Sequence, residues 1–114
     1  VNHCEFSHDG RHIVTASSDY SARLWNVPEL RLENVFTGHQ DDVDMATFSP
    51  DDRLIATCAL DRIVRIFDRQ GRCRVRMAGH TGNIISLIWS ADGKRLVSTG
   101  VERSGKLREQ RFPQ

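Results

Sequence analysis

Apolar and polar positions alternate along this chain in short segments broken by Asp, Gly, Ser and Pro, and no stretch keeps a helical period for more than a turn or two. One kind of segment is apolar at alternate places. It begins at Val1, at Val43 and Met45, and at Ile84 and Ile88, and closes on Phe6, Phe48 and Trp89. Aspartate-containing turns suited to tight hairpins follow. A second kind, Ile13-Val14, Leu54-Ile55 and Leu96-Val97, is short, aliphatic and unbroken by proline. In a third, Ala22 to Trp25 and Val64 to Phe67, arginines alternate with apolar residues, as in a strand with one wet face. The fourth runs from Leu32 to Phe36 and from Cys73 to Met77, after turns marked by Pro28 and Gly71. The pattern predicts an all-β chain.

The segments repeat. Gly38-His39 returns 41 residues later as Gly79-His80, and Phe6-Ser7 returns as Phe48-Ser49 and Trp89-Ser90. Asp9-Gly10 returns as Asp51-Asp52 and Asp92-Gly93, Asp19 as Asp61 and more weakly as Glu102, and Trp25 as Phe67. Repeat units are expected at about 1-37, 38-78 and 79-109, with blades over 1-100 and a tail, 110-114, that matches nothing. Four short strands at this period, with two Gly-His pairs, resemble the WD-repeat β-propeller family.

That resemblance implies β-propeller blades, each a four-stranded antiparallel sheet. Propellers have about four to eight blades, so the propeller is expected to be partial and not closed in a single chain. The implied function is a non-catalytic protein–protein interaction scaffold, part of a larger propeller protein, with no cofactor. The alternative is an accessory segment of a larger signalling protein, an ATPase or kinase whose catalytic domain lies elsewhere. Implied partners are other proteins or peptides, and a second copy could complete the ring.

The resemblance also implies a hydrogen-bonded set in each blade: the His of Gly-His, a hydroxyl on the second strand, an Asp in the next turn and the Trp that ends the third strand. A buried His and Asp are costly unless paired, and the set pins the loop to the blade. It maps to His39, Thr57 and Asp61, with Phe67 lacking the indole donor. It maps in part to Thr15, Asp19 and Trp25, whose histidine would precede Val1, and to His80, Ser98 and Glu102, with Arg108 at the aromatic position. A hydrolase-like reading of His39, Thr57 and Asp61 is disfavoured because the arrangement repeats and threonine is a poor unassisted nucleophile.

Charge is balanced, 16 Lys plus Arg against 15 Asp plus Glu, which argues against a dedicated nucleic-acid binder. No apolar run approaches a membrane span, so no membrane partner is expected. No secretory signal is read at the N-terminus. Three scattered cysteines, Cys4, Cys58 and Cys73, suit a reducing, cytoplasmic setting. His3, Cys4, His8 and His12 could suggest a metal, but strand geometry does not converge residues four apart, and no metal site is assigned. Asp41, Asp42 and Asp44 read as a solvated loop. The arginines from Arg62 to Arg76 read as the wet face of an outer strand, where charge guards an edge; the alternative is an acidic or nucleic-acid partner, since arginine is favoured for carboxylate and phosphate recognition. Met45 and Met77 read as core filler. No phosphate-cradling loop or nucleophile elbow is present.

In the family, partners dock on the face that carries the Gly-His loops and Asp turns. It maps here to Tyr20, Gln40, Asp41, Asp42, Leu60, Arg62, Thr81 and Asn83. Tyr20 and Arg62 are the expected anchors by residue type.

Overall fold

A computed structural model describes residues 2–78, 84–100 and 107–111, with backbone alone for 85, 100 and 107–111. The described elements are strands: β1 (His3–Phe6), β2 (His12–Ala16), β3 (Ala22–Asn26), β4 (Leu32–Phe36), β5 (Val43–Phe48), β6 (Leu54–Ala59), β7 (Val64–Asp68), β8 (Cys73–Met77), β9 (Ile84–Trp89), β10 (Arg95–Gly100) and β11 (Leu107–Arg111). They pair antiparallel in chain order into two four-stranded sheets, β1 to β4 and β5 to β8, and a three-stranded sheet, β9 to β11. These are blades of a partial propeller, and the described strands form no closed barrel.

The repeated Ser and Asp build the first hairpin of each sheet. The Ser7 hydroxyl donates to Asp9 Oδ1 (2.5 Å) and accepts from His12 N–H (3.0 Å), while Asp9 Oδ1 accepts from Arg11 N–H (2.9 Å). Ser49 and Asp51 make the same bonds with Arg53 and Leu54, and Ser90 and Asp92 with Lys94 and Arg95. Each hairpin needs one residue in the left-handed region, and Gly10 (φ 72°) and Gly93 (φ 73°) supply it without steric cost. The second hairpin uses Asp52 (φ 61°) instead.

Simple alternation fails where the register slips. Asp44 and Ile85 are extra residues in β5 and β9, set as β-bulges against β6 and β10. Val43 therefore shares a core with Ala46 and Phe48, while Met45 packs on the other side of the sheet. Ile84 is buried but Ile88 is exposed, so the two do not share a face as their spacing suggested. Glu33 and Arg74 are bulged in the same way in β4 and β8, which interrupts the expected alternation of arginines along β8. β11 runs through Gln110 and Arg111, opposite Leu96 and Arg95. Backbone pairing there extends past the last residue with a repeat counterpart, because a ladder needs no side-chain motif.

Two cores separate the sheets. Val14, Ala16, Leu24 and Phe36 of the first pack against Val43, Phe48, Ile55 and Phe67 of the second. The rings of Phe36 and Phe67 lie 5.2 Å apart. The second sheet's opposite face packs Cys58, Val64 and Ile66 on Ile84, Leu87 and Leu96, with Met45 and Met77 at the margin. Among the described residues, the outer face of the first sheet has no sheet against it. Phe6, expected to close a core strand, is 60% exposed there, and Leu30 is as open. Cys4, Ile13, Thr15, Trp25 and Leu30 line an apolar depression of about 340 Å³ on this face.

Candidate functional site

Antiparallel pairing puts the β2–β3 turn, the β6–β7 turn and the loop from β4 to β5 at one end of the sheets. His39 enters from that loop and is buried. Its Nδ1 lies 2.9 Å from Asp61 Oδ2, and its Nε2 lies 2.6 Å from the Thr57 hydroxyl. A carboxylate only accepts, so Nδ1 carries the proton and Nε2 accepts from Thr57. Asp61 Oδ2 also accepts from Gln40 N–H (3.0 Å), and its Oδ1 from Ile63 N–H (3.0 Å). One carboxylate thus ties the incoming loop to the turn.

The electrostatics agree with a neutral ring on an anionic carboxylate. Burial pushes the His39 pKa below its ordinary 6.5, Asp61 pulls it up, and Arg65 pushes it down. Burial opposes the Asp61 anion, but the Gln40 N–H, the His39 ring and the Ile63 N–H outweigh it and hold its pKa below the ordinary 3.8. Thr57 is fully buried and the His39 side chain is 1% exposed. A nucleophile must meet its substrate, and the Thr57 hydroxyl in this trio is closed off from solvent.

The first sheet carries the complementary half. Trp25 Nε1–H donates to the Thr15 hydroxyl (3.0 Å), the bond that Phe67 cannot make to Thr57. Asp19 turns instead to its own strand, accepting from the Ser21 hydroxyl (2.6 Å), Ser21 N–H (3.0 Å) and Arg23 (2.9 Å). The Ser21 hydroxyl is the chief cause of its lowered pKa. Ser98 is buried in the third sheet. His80, Glu102 and Asn83 lie outside the described residues, as does the Arg108 side chain.

Around this trio lie the loop residues. Tyr20 (φ 75°) and Arg62 (φ 65°) occupy the same position of the two equivalent turns, both in the left-handed region and both exposed. Asp41 and Asp42 are half-buried, with Asp41 Oδ1 accepting from Asp42 N–H (2.8 Å) and the Asp42 carbonyl accepting from Leu60 N–H (2.9 Å). Burial, then Asp42 and Asp41, raises the pKa of Asp44 at the bulge.

Sequence reasoning missed a polar seam between the first two sheets at the opposite end. Asp52 accepts from His8 N–H (2.9 Å) and Asp9 N–H (3.1 Å), and its Oδ1 meets His8 Nδ1 at 2.8 Å. Arg69 reaches His12 Nε2 (2.9 Å) and the Asp52 carbonyl (3.2 Å), and the Asn34 amide donates to the Arg69 carbonyl (3.0 Å). The one available signal was Asp52 standing where the other hairpins have glycine. His3, Cys4, His8 and His12 do not gather around a common point. His3 faces Glu5, His8 faces Asp52, and His12 faces Glu33 and Arg69.

Comparison with known proteins agrees with the sheets. The family model for the WD domain, G-beta repeat, matches residues 1–26, 30–68 and 71–108. The chain is 30% identical over 104 residues to a WD repeat-containing protein 26 homolog of Arabidopsis thaliana, covering 88% of this chain and 18% of that protein. It is 37% identical over 99 residues to Coronin-7 of Mus musculus, covering 79% of this chain and 11% of that protein. With human Coronin-7 it is 35% identical over 109 residues, covering 88% of this chain and 12% of that protein. The chain therefore spans less than a fifth of the length of these relatives. Two four-stranded blades with repeated Ser–Asp hairpins, and a family model that covers three successive segments, place this chain in the WD-repeat family.

Proposed function

We propose that the chain is a non-catalytic protein-interaction segment of a larger propeller protein, and that it presents the loop end around His39 to its partners. WD repeats are generally protein-interaction scaffolds, and a rigid blade with recognition on its loops fits that role. The observation that carries the reading is the pair Tyr20 and Arg62. Both are exposed, and both hold a left-handed backbone at matching turns. Such positions cost bulky residues about 1–2 kcal/mol, so folding stability alone does not favour them there. Asp41 and Asp42 supply carboxylates to the same end, and Asn83 is assigned to it by its place in the repeat.

The test is capture of a partner by the intact protein. Arg62→Glu and Tyr20→Ala should each release a partner that the parent holds, while Arg53→Glu at the opposite end should keep it. Retention by the first two variants in a folded protein would overturn the reading.

The open face of the first sheet supports the larger-propeller part. Ile13, Thr15 and Trp25 are the counterparts of Ile55, Thr57 and Phe67, which the first sheet covers. What fits on Ile13 and Trp25 is therefore another blade, supplied by the longer protein or by a second copy that completes a ring. Light scattering on the 114-residue chain separates these: a defined oligomer favours the copy, and a monomer favours the longer protein. A cytoplasmic setting belongs to the same proposal, supported by Cys4, Cys58 and Cys73 standing as free thiols.

A further inference from the structure

The outer edges of the first two blades differ in charge, although their backbones match. Arg23 and Arg65 are equivalent, as are Val35 and Arg76 opposite them, and Glu33 and Arg74 at the bulges. In the first blade Arg23 pairs with Asp19, and Glu33 pairs with His12 and Arg69. In the second, Asp61 is committed to His39. Arg65 instead lies directly opposite Arg76 across β7 and β8. Neither forms an ion pair among the described residues; the buried Nε atoms of Arg65 and Arg23 alike lack a hydrogen-bond partner, and the Arg65 guanidinium lies against Gly38. Like charges facing across a strand pair are destabilising. Arg72 and Arg74, both mostly exposed, share the single carboxylate of Asp68 at 3.2 and 3.6 Å. From Arg65 to Arg76 there are thus five arginines and one acid.

We propose that this edge binds an acidic, extended peptide segment that pairs with β8 over Val75–Met77 and sets carboxylates against Arg76 and Arg74. β8 is the last strand of its sheet among the described residues, so its outer edge can accept another strand, in exchange for the bond that the Val75 carbonyl accepts from Cys73 Sγ (3.4 Å). A carboxylate opposite Arg76 meets a cation without an ion pair among the described residues, and Arg74, set out of alternation by its bulge, adds charge beside it. Arginine suits carboxylates through its planar fork. Exposed aromatics for stacking bases, which single-stranded nucleic acid would use, are missing from β7 and β8. The surface is separate from the loop end discussed above.

Fluorescence anisotropy with a labelled peptide alternating Glu and Thr tests the proposal on the 114-residue chain. Saturable binding should weaken about tenfold or more in Arg74→Glu/Arg76→Glu and should fall with salt. The same peptide with Pro in place of Thr should bind much more weakly, because it cannot complete the ladder. Arg62→Glu should leave peptide binding unchanged, which keeps this test apart from that of the loop end. Far-UV circular dichroism checks folding, and Arg76→Gln alone gives the same readout, as a smaller loss, if the double variant unfolds. No saturable binding, equal binding of the proline peptide, an unaffected arginine variant, or tighter binding of an oligo-dT strand overturns the proposal.

Discussion

Asp61 Oδ2 stands 2.9 Å from His39 Nδ1 and 3.0 Å from the Gln40 backbone nitrogen, so one carboxylate oxygen fastens two consecutive residues of the incoming loop to the β6–β7 turn. Removing it leaves a buried ring donor and a backbone donor without partners. Asp61→Ala should therefore destabilise the chain by about 1–3 kcal/mol, read as a lower thermal midpoint. An unchanged midpoint would show that the loop is held by other means.

Stability should fall with acid in two stages. The folded His39 pKa lies below 6.5, so the unfolded chain binds that proton first. The contribution of His39 is fully present above 6.5 and is lost as pH falls through its lower folded value. Asp9, Asp51 and Asp61 have folded pKa values below 3.8, and their contributions disappear below that value. Asp44 has the opposite sign: its raised pKa means that protonation favours the fold. Thermal midpoints across pH should show the upper stage in the parent and lose it in His39→Gln.

Asp52 joins the first two blades through His8 and Asp9 and is almost buried. Asp52→Gly should relieve the left-handed backbone yet lower stability by about 1–3 kcal/mol, because the inter-blade bonds outweigh the turn. Hydrogen exchange should speed up in β1 and β2 more than in β7. Uniform protection would contradict a seam at this point.

Tyr20 and Arg62 should behave in the opposite way. Neither side chain donates or accepts a hydrogen bond among the described residues, so glycine there removes steric cost without removing a contact. Tyr20→Gly and Arg62→Gly should each raise stability by about 0.5–1 kcal/mol, the net of that relief and the added chain entropy. Urea midpoints measure this, and a fall in both variants would mean that the side chains are structural.

The outer core should be the costliest place to cut. Phe36 is fully buried against Phe67 between the blades. Phe36→Ala should cost about 3–5 kcal/mol, seen as loss of the cooperative unfolding transition or a steep fall in its midpoint.

Much of this was legible along the chain because repetition makes local rules visible. Phe6-Ser7, Phe48-Ser49 and Trp89-Ser90, each with an aspartate two residues after the serine, build the hairpins from bonds between near neighbours, and such bonds need no distant partner. The family resemblance also implied which hydroxyl and carboxylate meet His39, and the fold brings Thr57 and Asp61 to its ring. Bulges were hidden, since Asp44 and Arg74 look like any other alternating position until a partner strand sets the register.

The sequence alone thus determined the strands, the repeat and the local turns, because these depend on residues within one hairpin. Only tertiary structure decided what lies between blades. Asp52 reads as one more turn residue until His8 arrives from a hairpin more than forty residues away. Phe6 reads as core until its sheet face proves to have no sheet against it among the described residues. Arg65 reads as a wet-face residue until Arg76 stands opposite it. Each outcome depends on which surface packs against which, and a period along the chain does not encode that.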